Sequence, residues 1–182
     1  MGLYSDCVNV YTSHMIYNLT IPQFIKTIRD LDAMLDQAAK FAEIKKFEVD
    51  VLLKSRLASD QFPLTRQIQI ACDTAKLSAF RLTGKEAAAY TDTEKTLAEL
   101  HARIHGTIAY LETFTAAEFA DSAKKHISQP RWEGQWLTGD EFVLHHAVPN
   151  FYFHVTTAYS ILRHNGVALG KKDYLGPMPF KK

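Results

Sequence analysis

The chain has 182 residues, with 21 Lys plus Arg against 20 Asp plus Glu, a formal charge of +1. So even a balance argues against a nucleic-acid binder, which works through a broad basic face, and 47% apolar with 23% charged residues excludes wholesale disorder. Two cysteines against eight histidines cannot staple a domain of this length, so a reduced, cytoplasmic protein is expected.

No apolar run reaches the roughly 20 residues that span a bilayer, and the N-terminus lacks the basic start and apolar core of a secretory signal. GxGxxG, GxxxxGK, CxxC and HExxH are all missing from the sequence. Neither a membrane nor a nucleic acid is expected as a partner.

In chain order, residues 1–19 read as an N-terminal extension and 20–182 as a single helical domain. The first long helix is expected over 20–42, with Thr20 as cap and Pro22 in the first turn, where its missing N–H costs nothing. Ile21, Phe24, Ile25, Ile28, Leu31, Leu35, Ala38 and Ala42 form its apolar stripe. Residues 49–57 suit a short helix. A second long helix is expected from Pro63 or Leu64 to Thr83, stopped by Gly84, with Leu64, Ile68, Ala71, Cys72, Ala75, Ala79 and Leu82 facing inward. A capping-box pattern, Thr91 with Glu94, opens a third helix over 92–114, and Thr115 with Glu118 opens a shorter one.

Residues 124–138 break the helical period at Pro130 and Gly134. Trp132 and Trp136 flank a turn there, which predicts a small hairpin or irregular flap. The last helix is expected from Asp140, as cap, to Asn165, with Gly166 as its stop and a kink or division at Pro149. The tail is too rich in Gly and Pro to continue it. Four long helices with short connections give an all-α four-helix bundle; a five- or six-helix orthogonal array is the alternative.

Among the histidines, His154 shares the inward stripe of the last helix with Val143, Ala147, Asn150, Ala158 and Ile161. Asn150 and His154 stand one turn apart, and His146 one turn before Asn150, so all three point one way. Such a row suits either a ligand pocket or a satisfied buried hydrogen-bond network. His101 and His105 form an HxxxH pair that suits a divalent cation, but no carboxylate accompanies them in sequence, and a half-exposed helix face is the plainer reading. Cys72 reads as a small buried hydrophobe. Trp132 and Trp136 read as a lid over a pocket, an anchor for the hairpin, or half of a dimer contact.

The last helix reads PNFYFHVTTAYSILRHNGVALGKKDYLG and helix two reads FPLTRQIQIACDTAKLSAFRLTG. Together they closely resemble a domain-of-unknown-function family of the DinB/YfiT-like superfamily, over about residues 20–176. The resemblance implies a four-helix bundle, often a homodimer, with a pocket at one end. Superfamily members elsewhere bind a divalent metal through a histidine on helix two and an HxxxH pair on the last helix, and some are thiol-dependent transferases or related enzymes. His154 stands twelve residues before Gly166 and matches the second histidine of that pair. The first falls on Asn150, and the helix-two histidine falls on Gln69, with Gln67 as the other register.

The resemblance therefore implies a degenerate metal site. Gln69, Asn150 and His154 are expected in mutual contact, with His146 and Trp132 lining the same pocket. A bound small molecule and no cofactor are expected, with a divalent metal as the alternative. A metal-dependent enzyme of transferase or hydrolase type that recruits His146 is the second functional reading. A non-catalytic interaction dimer is the third.

Overall fold

The apolar stripes read from the sequence meet in one core in the computed structural model, which describes residues 2–181, with side chains from His14 onward. Helix α1 spans Gly2–Lys45, α2 Leu64–Thr83, α3 Leu97–Leu111, α4 Gly139–Phe142, α5 Val148–His164 and α6 Lys171–Leu175. The chain is an all-α bundle with one small sheet. Helices α1 and α2 each pack against both α3 and α5, so the α1/α3 seam lies across the bundle from the α2/α5 seam. Every residue of the α2 stripe is buried, as is the α3 stripe Leu97, Leu100, Ile104, Ile108 and Leu111, and α1 adds Met34 to the expected set while Ile25 is only partly buried. Burying one such Leu, Ile or Phe side chain stabilises the fold by about 1.5–3 kcal/mol. Among the described residues, no helix is long and apolar enough to cross a membrane.

Several boundaries differ from the expectation. Helix α1 continues through Thr20 and Pro22 instead of starting there. The Thr20 hydroxyl donates back to the Ile16 carbonyl at 2.7 Å rather than capping. Pro22 is tolerated inside the helix because it and Asn18, whose carbonyl loses its partner, are both exposed to water. Helix α3 starts at Leu97, not 92, behind a Thr96–Glu99 capping box. Glu94 does not cap, because its carboxylate is drawn to Arg103 at 2.8 Å. Residues 49–54 form a 3-10 turn, a shorter element than the expected helix. Helix α2 stops at Gly84, whose φ of +90° suits a residue without Cβ.

The flap is a hairpin: β1 (Ile127–Ser128) pairs antiparallel with β2 (Trp136–Leu137), Ile127 opposite Leu137. Thr138, not Asp140, caps the last helical segment, in a capping box with Glu141. The chain then widens into a π turn over Val143–Ala147 before α5. This divides the helix immediately before Pro149, whose missing N–H removes one bond from the ladder. The tail also forms a helix of its own, α6, fixed to α1 by Gln37 donating to Asp173 at 2.9 Å.

Candidate functional site

A cavity of about 520 Å³ opens along the α2/α5 seam beneath the flap. Helix α2 lines it with Arg66, Ile70, Asp73, Thr74, Leu77, Ser78 and Arg81. The π turn and α5 contribute His146, Asn150 and His154, and the flap contributes Gln129, Pro130 and Arg131. The three polar residues of the last helix recur at one-turn spacing, which carries them along one face.

His154 is buried, and its Nδ1 lies 2.7 Å from the Gln67 Oε1. Gln67 donates its Nε2 to the Phe62 carbonyl at 2.9 Å. That bond fixes the amide, so Oε1 faces the ring, Nδ1–H is the donor and Nε2 keeps its lone pair. Burial, with a contribution from the Arg66 charge, pushes the imidazole down to about 4, so it is neutral at neutral pH.

The expected trio is only partly assembled. His154 pairs with Gln67, the other register, and not with Gln69. Residues two apart on a helix point about 200° apart, and Gln69 accordingly turns toward α3. It donates to Glu94 at 2.8 Å and accepts from Arg66 at 3.1 Å. Asn150 lines the cavity and donates to the Thr74 hydroxyl at 2.8 Å, leaving its carbonyl oxygen unengaged by that bond. Trp132 backs the cavity rather than lining it: its ring meets His146 edge-on at 5.3 Å. Trp136 is exposed and lies against His126.

His146 is half-buried, stacked on Phe142 with ring centroids 5.4 Å apart. Its Nε2 accepts from Arg131 at 2.5 Å, which assigns the proton to Nδ1, and that atom is buried without a partner. Burial and the charges of Arg131 and Arg81 push its imidazole down to about 4. The Ser78 hydroxyl, on the same cavity wall, is likewise buried without a partner.

The charges divide sharply. Arg66 pairs with Asp92 at 2.5 Å, and Asp73 is engaged by Arg103 at 2.8 Å and Lys76 at 3.4 Å. Among the described residues, no carboxylate pairs with Arg81 or Arg131. Burial and the Arg131 charge hold the Arg81 guanidinium below its ordinary value.

The divalent metal implied by the resemblance does not fit this donor set. One imidazole nitrogen and one amide oxygen are left for a ligand, the one lining carboxylate, Asp73, is already paired, and two guanidiniums with no carboxylate partner among the described residues oppose a dication. Cys72 is no nucleophile: burial pushes its thiol up to about 12.

The HxxxH pair of α3 has a carboxylate partner that the sequence reading did not find. Asp32 of α1 lies between His101 and His105 of α3, with Oδ1 at 2.6 Å from His101 Nδ1 and Oδ2 at 2.9 Å from His105 Nε2. Among the described residues this is a group of three whose ligand atoms all lie within 4.8 Å of one another. The carboxylate comes from another helix, so no local motif displays it. The available signal was the matching one-turn spacing of Asp32 with Asp36 and of His101 with His105.

No curated protein matches the chain. A crystal structure of a DinB family member protein from Shewanella denitrificans is 58% identical to it, with 95% of this chain and 98% of that one covered and a TM-score of 0.92. Residues 16–175 match the domain of unknown function family DUF1993, and with the bundle and its α2/α5 seam now described, the chain belongs to that family, within the DinB-like superfamily.

Proposed function

We propose that this protein binds a small anionic molecule, a carboxylate or phosphate compound, in the α2/α5 cavity, with no metal at that place. The reading is carried by Arg81 of α2 and Arg131 of the flap, two guanidiniums that line one cavity without a carboxylate partner among the described residues. Planar guanidiniums bind carboxylate and phosphate oxygens through paired, charge-assisted hydrogen bonds. Two further observations support it. Ser78 Oγ and His146 Nδ1, on residues that line the cavity, are buried without partners, a cost of about 1–3 kcal/mol per group that a ligand relieves once the side chain turns toward it. The volume of about 520 Å³ also suits a small metabolite. Neutral His154 offers Nε2 as an acceptor for a ligand hydroxyl or amine. The donor set gives no support to the metal-dependent transferase or hydrolase reading in this cavity.

The test is calorimetric titration of the full chain with inorganic phosphate and with malonate at neutral pH. Saturable binding of at least one is expected, weakened about tenfold or more by Arg81→Met or Arg131→Met, the loss of one charge-assisted contact. Absence of binding at millimolar ligand, or binding unchanged in both variants, would overturn the reading.

A further inference from the structure

We infer that Asp32, His101 and His105 form a divalent-cation site on the α1/α3 seam, separate from the α2/α5 cavity and selective for a borderline ion such as Zn2+. Three features carry this. First, the geometry converges: the two Asp32 oxygens each meet a different imidazole nitrogen, at 2.6 and 2.9 Å, and all three ligand atoms fall within 4.8 Å. Ligands of a tetrahedral zinc ion at about 2.0–2.2 Å stand roughly 3.3 Å apart. Each nitrogen therefore has to retreat from its own oxygen by less than 1 Å, and ligand atoms that stand up to 4.8 Å apart close toward the same spacing by side-chain rotation.

Second, the charge is of the right sign. Among the described residues, neither Asp32 nor Asp36 forms an ion pair with a lysine or arginine; their ion-pair partners are the two histidines. This is the reverse of the α2/α5 cavity, where the unpaired charges are guanidiniums. Two imidazoles with one carboxylate favour zinc-like ions over Mg2+ and Ca2+, which prefer all-oxygen shells.

Third, a supporting carboxylate is in place. The other His101 nitrogen, Nε2, lies 3.7 Å from Asp36 Oδ1. When Nδ1 of His101 and Nε2 of His105 turn their lone pairs to the ion, their protons move to the opposite ring nitrogens. Asp36, after closing from 3.7 Å to hydrogen-bond distance, then accepts from His101, the carboxylate–histidine–metal arrangement that orients a ligating ring. The proton count of the two neutral rings is unchanged. Three protein ligands leave a fourth position, on the side where His105 is 64% exposed, open to water. A bound ion clamps α1 to α3.

The test uses tag-free full-length protein, stripped with chelator and dialysed, and titrated calorimetrically with Zn2+ at neutral pH, with Mg2+ as comparison. One Zn2+ per chain is expected, with no Mg2+ uptake and a rise in thermal midpoint, because the ion binds only the folded form. Co2+ in its place gives the visible bands of a tetrahedral site. His105→Ala, at an exposed position that does not threaten folding, and Asp32→Asn each weaken Zn2+ by at least about tenfold. His154→Ala leaves it unchanged. No stoichiometric uptake, or uptake that survives Asp32→Asn at full affinity, would overturn the site; the latter reduces it to chelation by two surface imidazoles.

Discussion

Gln67 and His154 tie the first turn of α2 to α5 through one hydrogen bond, Nδ1–H to the amide oxygen at 2.7 Å. The bond is specified from behind, because the Phe62 carbonyl orients the Gln67 amide. It selects the tautomer of His154 and leaves a neutral imidazole with its Nε2 lone pair toward the cavity.

Acid should expose this arrangement. His154 is held at about 4, whereas an unfolded histidine titrates near 6.5. Between those values the unfolded chain binds a proton that the native chain refuses, so stability falls as pH drops through this window. The contribution of His154 is lost by on the order of 2 kcal/mol at pH ~5. Urea unfolding from pH ~7 down to ~5 is expected to show a steeper loss for the native chain than for His154→Gln. Identical slopes would refute the buried neutral histidine.

Arg103 is the centre of the α2/α3 seam. Its side chain is 1% exposed and meets Asp73, Asp92 and Glu94 at 2.8, 2.7 and 2.8 Å, with Tyr90 stacked on the guanidinium at 4.4 Å. The carboxyls of Asp92 and Glu94 are held below their ordinary values: hydrogen bonds and charge from the arginines outweigh the cost of burial. Arg103→Met leaves three carboxylates without their shared cation and is expected to lose about 3–5 kcal/mol. Arg103→Lys, which keeps the charge but not the fork, is expected to lose less. Denaturant midpoints check both, and a loss under about 1 kcal/mol for the methionine variant would contradict this account.

Gly139 opens α4 where the backbone of residue 122 passes close by. A Cβ there would sit 1.8 Å from the Ser122 carbonyl oxygen, so one backbone has to move. Gly139→Ala is expected to lower stability by about 1–3 kcal/mol despite the helix propensity of alanine. Thermal unfolding measures it, and an unchanged or raised midpoint would show that the 3-10 turn at residue 122 yields freely.

The stripes of α2 and α3 were legible in sequence because helical periodicity and burial report the same thing when one face packs on a core. So were the stop at Gly84 and the hairpin around Pro130 and Gly134, which depend on local backbone preference. The start of α3 was not, because Thr91–Glu94 and Thr96–Glu99 are both good local boxes. The choice between them fell to Arg103, which draws Glu94 away and leaves Glu99 to cap.

For the candidate site, the sequence by itself determined that His146, Asn150 and His154 share one face of the last helix. A one-turn spacing sets a shared direction along an α-helix, and the π turn that carries His146 leaves it on the cavity. Only the tertiary structure decided that His154 meets Gln67 rather than Gln69, since the rotation of α2 about its axis is set by packing against α3 and α5 together. It alone decided that Arg81 and Arg131 meet at one cavity with no carboxylate partner among the described residues, and that Asp32 falls between His101 and His105. Both are meetings of residues from elements distant in sequence, and no local pattern encodes the distance between two helices.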